Sequence, residues 1–146
     1  MNLREMWADD RATLGAWLSS PSTAVAETTA RVGFDYVCVD NQHGAVDYQI
    51  TVGMVQGILL GGSRPIARVP WNEPGIIGKM LDAGVEGVVV PMVNSVAEAE
   101  AVVHGSRYPP LGERSFGPVM AGMRANGYHT RANDTVAVIP MIETVQ

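Results

Sequence analysis

The chain has 146 residues, of which 47% are hydrophobic and 17% charged, and its formal net charge is -5. A chain of this length can bury one sizeable core, so we expect a single domain over residues 1–146. The negative charge argues against a nucleic-acid or anionic-membrane partner, which would favour a basic patch. The lone cysteine, Cys38, excludes an internal disulfide framework. With no signal-peptide core or long apolar run in the sequence, a cytoplasmic protein is expected.

The first half of the chain alternates between strand-like and helix-like segments. A short strand is predicted at Thr13–Leu18, followed by a helix at Ser22–Val32. Gly33 follows that helix, in the position where a left-handed residue commonly ends one. The apolar run Tyr36–Val39 is typical of a buried parallel strand. Helical spacing of apolar residues then predicts a helix over Asp47–Leu60.

The second half repeats the alternation. Strands are predicted at Pro65–Val69, Val88–Val90 and Val136–Ile142. Helices are predicted at Pro74–Ala83, where proline suits the first turn, and from Ser95 onward, where a glutamate follows at the capping-box spacing. Strands alternating with helices of about ten residues indicate βαβ units and a parallel sheet.

One long segment, residues 107–134, is predicted as a loop. Its first part, Tyr108–Pro118, is too rich in proline and glycine for a regular helix or a central strand. Loops of this length inside a compact domain usually have a function. The segment is therefore interpreted either as a cover for a site, as a contact with a neighbouring subunit, or as a solvated surface loop.

Three ionisable residues follow predicted strands, and in a parallel α/β barrel the active site lies at the carboxyl ends of the strands. His43 follows the second strand, Arg68 ends the third, and Glu143 ends the fifth. These residues would meet at the carboxyl ends of the strands, the mouth of the barrel. A base, a cation and a carboxylate together there indicate proton transfer beside a metal ion or an anion. Each also has a structural interpretation: a hydrogen-bonded loop histidine, an arginine in a core-edge ion pair, a solvated glutamate. By the same reasoning Asp82, near a helix end, is a surface group.

The surroundings of these residues resemble the HpcH/HpaI family of aldolases. The similar segments are Phe34–His43 with its Asp-x-x-His pattern, Arg64–Pro70, Met80–Val93, Arg107–Ser115 with its Arg-Tyr-Pro-Pro-x-Gly-x-Arg pattern, and the Ile-Glu-Thr at 142–144. They occur in order over nearly the whole chain. The resemblance implies a TIM (β/α)8 barrel of the phosphoenolpyruvate/pyruvate type, of which this chain holds about the first five β/α units.

The resemblance also implies roles in a class II, metal-dependent aldolase that cleaves a 4-hydroxy-2-oxo acid to pyruvate and an aldehyde. His43 would be the general base, and Asp82 would orient its imidazole. Arg68 would stabilise the enolate oxygen. Glu143 would bind the divalent ion, Mg2+ or Mn2+, with Co2+ as a third candidate. The sole lysine, Lys79, lies in a predicted helix, which disfavours a Schiff-base mechanism.

The sequence departs from the family pattern at two positions and at its end. Gln42 replaces a glutamate before the histidine, and Met141 replaces a glutamine that contacts pyruvate in many members. Family members carry a second acidic metal ligand after the sixth strand, whereas this chain ends at Gln146, so we expect a truncated or partly recorded chain, or one completed by another polypeptide. Within the chain, Asp40 and Glu113 are the other candidate carboxylates.

Two alternatives to the aldolase remain open. One is an acyl-CoA lyase of the citrate-lyase β type, which the sparse arginine content does not favour. The other is a non-catalytic fragment that acts only by association. Because five strands of a barrel leave unpaired edges, a homo-oligomer is expected.

Overall fold

The computed structural model describes residues 1–145, which form one five-stranded parallel sheet with helices between the strands. The strands pair in chain order, β1 to β5, each with the next. Their bounds are Gly15–Leu18 (β1), Tyr36–Asp40 (β2), Arg64–Arg68 (β3), Gly87–Val90 (β4) and Ala137–Pro140 (β5). Five consecutive parallel strands in sequence order are the arrangement of a (β/α)8 barrel wall, which confirms the predicted fold class.

Four of the helices between the strands, α2 to α5, begin at side-chain caps, of which Ser95 is the predicted one. Side chains of Ser22, Asp47, Glu73 and Ser95 accept backbone N–H groups of the first turns, which satisfies donors that the helices leave unpaired. The bounds are Leu3–Ala8 (α1), Thr23–Arg31 (α2), Tyr48–Gly61 (α3), Pro74–Asp82 (α4), Val96–Ser106 (α5), Val119–Arg124 (α6) and Tyr128–Thr135 (α7).

The two faces of the sheet bury different sets of residues because side chains alternate along a strand. Val37 and Val39 of β2 pack outward against α2 and α3. Cys38, between them, points the other way and packs with Ile66 of β3 and Val89 of β4. This second face is the interior of the barrel wall, and Asp40 and Arg68 continue it at the carboxyl ends of their strands.

Helix α1 closes the interior at the amino ends of the strands. Leu3 and Met6 are buried against Cys38, Ile66 and Val89, which together form the interior layer. The helix starts at a capping box formed by Asn2 and Glu5. Arg64, the first residue of β3, donates a hydrogen bond of 3.0 Å from Nε to the carbonyl oxygen of Met1. At the amino ends of the strands the interior face is therefore apolar and covered by α1.

The prediction of a loop over residues 107–134 is wrong in its second half. Residues 108–118 are irregular as expected, but α6 and α7 follow them. Helix α7 is polar and carries Thr, Asn and Asp, which are weak helix formers, so its sequence gives no helical signal. Tertiary packing stabilises both helices. Ala121 and Ala132 are buried, and Tyr128 packs against the hydrophobic cluster formed by β3, β4 and helices α3 to α5.

Within the described part of the chain, no helix is both long and apolar enough to cross a membrane.

Cys38 should be chemically inert in the folded protein. Its side chain is fully buried in the interior layer, and burial raises the pKa of the thiol to about 12. Because the thiolate is the reactive form, alkylation by iodoacetamide at pH 8 should be negligible in native protein and fast after denaturation. Mass spectrometry of both samples measures this. Rapid alkylation of native protein would show that the interior layer opens readily.

Candidate active site

The register of the sheet brings two charged side chains together at the mouth of the barrel wall. Asp40 is the last residue of β2 and Arg68 is the last of β3, and the two are direct partners across the strands. Arg68 donates to the Asp40 carboxylate from Nε at 3.0 Å and from Nη2 at 2.6 Å. The pair is largely buried, with 12% of the Arg68 side chain and 4% of the Asp40 side chain exposed. Such a fork-to-fork pair fixes the plane of the guanidinium.

The Asp40 carboxylate accepts five hydrogen bonds. Oδ1 accepts from Arg68 Nε and from the backbone N–H groups of Gln42, at 3.0 Å, and His43, at 3.1 Å. Oδ2 accepts from Arg68 Nη2 and from the Trp17 indole N–H, at 3.2 Å. Burial alone would raise the pKa of Asp40, but the bonds from Arg68, His43, Trp17 and Gln42 outweigh it and hold the pKa well below its ordinary value. Asp40 is therefore ionised at any physiological pH.

Trp17 of β1 covers the guanidinium of Arg68. The guanidinium carbon lies 5.2 Å from the centre of the indole ring, within the range of a cation–π contact. The same indole donates to Asp40, so one side chain contacts both members of the ion pair. Trp17 thereby restricts Arg68 from the side opposite β4.

The loop after β2 carries His43 and is anchored at two points. The Asn41 side chain accepts a 2.7 Å hydrogen bond from the buried Thr51 hydroxyl of α3. Asp40 holds the backbone N–H groups of the next residues, as described above. The His43 side chain itself is exposed to solvent. The loop therefore holds the His43 backbone beside the ion pair and leaves the imidazole accessible.

Glu143 follows β5 and lies at the same mouth. Its Oε1 accepts the backbone N–H of Met92 at 2.9 Å, which ties the ends of β4 and β5 together. Met92 adopts a φ of 56°, a left-handed conformation that is uncommon for residues other than glycine. The pKa of Arg68 is raised first by its bond to Asp40 and, to a smaller extent, by the Glu143 charge. Glu143 therefore lies within electrostatic reach of Arg68.

Glu143 fits the role of one ligand to a divalent ion, but Asp40 does not. No cluster of three or more His, Cys, Asp or Glu side chains that could hold a metal is found over residues 1–145. A carboxylate offers about four lone-pair positions, and those of Asp40 are occupied by its five donors. Glu113 lies in the irregular segment after α5, where its 82% exposed side chain is 3.7 Å from Nδ1 of His104. Because Mg2+ is commonly bound by one or two carboxylates plus substrate oxygens, Glu143 can serve as a partial site.

Asp82 lies apart from the residues at the mouth. It is the last residue of α4, and its carboxylate accepts a 2.6 Å hydrogen bond from Arg114. The Arg114 side chain is fully buried and also bonds the Tyr128 hydroxyl at 3.0 Å. Burial raises the pKa of Asp82, and the bond from Arg114 opposes that rise. No hydrogen bond joins Asp82 to His43 among the described residues, so the predicted orienting role remains a prediction.

The structure thus groups Arg68, Glu143 and the loop of His43, and it adds two residues that sequence reasoning did not place there. Asp40 was considered only as an alternative metal ligand, and Trp17 was not singled out. The position of Asp40 at the end of an apolar strand, opposite Arg68 in a neighbouring one, was the available signal. Lys79 lies on α4 with its ammonium 4.5 Å from the ring centre of Tyr48.

Comparison with known proteins identifies the family. The profile of the HpcH/HpaI aldolase/citrate lyase family matches residues 13–146, and the chain belongs to that family. It is 41% identical over 143 residues to a hydroxypyruvate/pyruvate aldolase of Rhizorhabdus wittichii, covering 97% of this chain and 57% of the relative. It is 36% identical to a 4-hydroxy-2-oxo-heptane-1,7-dioate aldolase of Escherichia coli, covering 92% of this chain and 53% of the relative.

Solved structures of similar shape include a HpcH/HpaI aldolase/citrate lyase family protein from Burkholderia cenocepacia and the citrate synthase SbnG. The first has a TM-score of 0.85 and 31% identity, covering 96% of this chain and 59% of the other. The second has a TM-score of 0.84 and 30% identity, covering 97% and 56%. This chain spans between half and three fifths of the length of each relative named.

Proposed function

We propose that this chain provides the pyruvate-binding side of a class II aldolase that reversibly cleaves a 4-hydroxy-2-oxo acid to pyruvate and an aldehyde. The proposal rests on the position of Arg68. Its guanidinium is largely buried, Asp40 holds it in one orientation at the mouth, and the charge of Glu143 acts on it. A fixed cation in a site of restricted water access is suited to a developing enolate. The aldolases of similar sequence support this reaction class.

The reaction requires one proton to leave the 4-hydroxyl group and one to arrive at carbon 3. In the cleavage direction, His43 accepts the hydroxyl proton and the oxygen forms the carbonyl of the departing aldehyde. The bond between carbons 3 and 4 breaks, its electron pair passes into the enolate of pyruvate, and Arg68 stabilises the enolate oxygen. A proton delivered to carbon 3 then forms the methyl group of pyruvate.

A divalent ion, Mg2+ or Mn2+, is proposed as the cofactor, and when bound it would supply Lewis-acid polarisation of the 2-oxo group. Glu143 is the residue of this chain that would hold it, with the Met92 N–H orienting the carboxylate. The orienting role of Asp82 toward His43 and a homo-oligomeric state are also proposals. For Asp82, its ion pair with Arg114 supports a structural role at least as well.

An acyl-CoA lyase or synthase reaction is the second candidate, and one observation favours it: a citrate synthase shares the fold at 30% identity. A pyruvate-release assay separates the two candidates. The aldolase should release pyruvate from 4-hydroxy-2-oxo acids without any coenzyme A ester. Pyruvate-independent activity on an acyl-CoA would instead favour the second reaction.

Removal of divalent ions should abolish the aldolase activity. Because Mg2+ and Mn2+ favour carboxylate ligands and Glu143 offers one at the mouth, protein expressed from its complete reading frame should lose turnover in excess EDTA and regain it with Mg2+ or Mn2+. Pyruvate release from a 4-hydroxy-2-oxo acid, coupled to lactate dehydrogenase, measures this. The Glu143→Gln variant should show the same loss without chelator. Undiminished turnover in EDTA would reject the metal role of Glu143.

A further inference from the structure

The hydrogen bonds of Arg68 occupy one edge of its guanidinium. Asp40 accepts from Nε and Nη2, which form the side edge of the group. A guanidinium has five N–H donors, so three remain, two on Nη1 and one on Nη2. One N–H of Nη1 and the remaining N–H of Nη2 form the end edge of the guanidinium, which is turned away from Asp40, and the second N–H of Nη1 points back along the side chain. The end edge has the spacing that suits two oxygen atoms of one planar acceptor.

The ion pair is not needed to fill the barrel interior. Directly below it in the interior layer, Cys38, Ile66 and Val89 pack as apolar side chains. Desolvating two charges usually costs as much as their attraction returns, and apolar residues of similar size often stabilise a fold equally well. A largely buried charge pair in which the carboxylate is saturated by donors and the cation keeps free N–H groups is therefore better explained by a requirement for an oriented cation than by stability.

Trp17 adds a third restraint. It covers the face of the Arg68 guanidinium at 5.2 Å and bonds Asp40 Oδ2 at 3.2 Å. The carboxylate fixes rotation of the guanidinium within its plane, and the indole fixes the tilt of that plane. Because β1, β2 and β3 each contribute one of the three side chains, the arrangement is set by the sheet register and not by a mobile loop.

We infer that Asp40 is a positioning residue, which together with Trp17 holds Arg68 so that its end edge faces the oxyanion of a planar 2-oxo acid. Asp40 does not bind the metal ion, since its oxygens are committed to their five donors. The inference rests on the proposed aldolase function and extends it to a residue that contacts Arg68 and not the substrate. A misplacement of about 1 Å is enough to lower a rate by a factor of about 10².

The test uses the isosteric variant Asp40→Asn in protein made from its complete reading frame. Asparagine keeps one acceptor oxygen and replaces the other by an NH2 donor that cannot accept from Arg68, so the two-oxygen pairing is lost and the guanidinium should lose its fixed orientation. We expect kcat to fall about 10- to 100-fold with a smaller change in KM. Oxalate, a planar mimic of the pyruvate enolate, should bind at least about fivefold more weakly in the presence of Mn2+, measured by calorimetry. Trp17→Phe, which removes the indole N–H, should show a smaller loss in both measurements.

Asp35→Asn is the matched control. Asp35 immediately precedes β2, at the end opposite Asp40, and pairs with Arg11 at 2.9 Å. This variant should leave kcat and oxalate affinity unchanged, even if its melting temperature falls. The proposal is overturned if folded Asp40→Asn protein retains kcat and oxalate affinity within about twofold of wild type.

Failure of the aldolase function can be distinguished from failure of the positioning role. If wild-type protein binds oxalate but releases no pyruvate from hydroxy-oxo acids, the proposed function fails, and the oxalate affinity of Asp40→Asn still decides the role of Asp40. If wild-type protein neither turns over nor binds oxalate with Mn2+, both proposals fail.

Discussion

Replacing Arg68 by alanine is expected to lower kcat for retro-aldol cleavage about 10²- to 10³-fold, the loss typical of removing a donor to a developing oxyanion. Asp40 fixes the guanidinium of Arg68 at the mouth. Among residues 1–145, no other cation is hydrogen-bonded to Asp40. The Arg68 charge acts where bulk water is largely excluded, so solvent cannot replace it. Initial rates of pyruvate release over a range of substrate concentrations measure the loss.

Stability has to be measured alongside that rate. Removing one partner of a buried ion pair commonly destabilises a fold by about 3–5 kcal/mol, and the backbone and indole donors that remain on Asp40 should reduce this figure. Circular dichroism should show that the variant is folded at the assay temperature. Arg64→Ala is the matched control, because Arg64 begins the strand that Arg68 ends and lies at the closed end of the barrel wall. A folded Arg68→Ala protein with wild-type turnover would contradict the role of Arg68.

Replacing His43 by alanine should lower kcat about 10²- to 10⁴-fold, the range expected for loss of a general base. The loop anchored by Asn41, Thr51 and Asp40 fixes the His43 backbone and leaves the imidazole exposed to solvent. Because the side chain is exposed, the substitution should leave the melting temperature nearly unchanged. Initial rates of pyruvate release over a range of substrate concentrations measure the loss of kcat.

His104→Ala provides the control for His43. His104 is also exposed, lies in the last turn of α5, and has Nδ1 at 3.7 Å from the carboxylate of Glu113. Its removal should leave the rate unchanged. Exogenous imidazole should restore part of the activity of His43→Ala if the lost group is a proton acceptor. A His43→Ala variant with the wild-type rate would show that another group takes the proton.

Together, these variants would separate three contributions to catalysis at the mouth. Under the proposed function, Arg68 would contribute charge, His43 proton transfer, and Glu143 a ligand for a divalent ion. Asp40 and Trp17 contribute orientation only, so their variants should be the mildest of the set. If the Asp40 and Arg68 variants prove equally impaired and their double variant is no worse, the two residues act as one unit.

The sequence by itself determined the parallel α/β architecture and the approximate bounds of every strand. Alternating apolar runs and helical periodicities are local signals, and caps such as Ser22, Asp47 and Ser95 mark helix starts within a residue or two. Parallel topology then places Arg68 and Glu143 at the carboxyl ends of their strands. The sequence gives no prediction for helix α1 and predicts a loop where α6 and α7 lie, because segments of six to eight residues form helices only where the core supports them.

Only the tertiary structure decided which side chains are partners at the mouth. The pairing of Asp40 with Arg68, 28 positions apart, follows from a sheet register that no local pattern encodes, since a shift of one residue would turn either side chain to the other face. The contact of Trp17 with both depends on that same register across a third strand. Likewise, Asp82 pairs with Arg114, which reaches it from a loop beyond the next strand and helix. Sequence periodicity fixes which face of a helix or strand a residue occupies. The packing of elements distant in sequence fixes which side chains it contacts on that face.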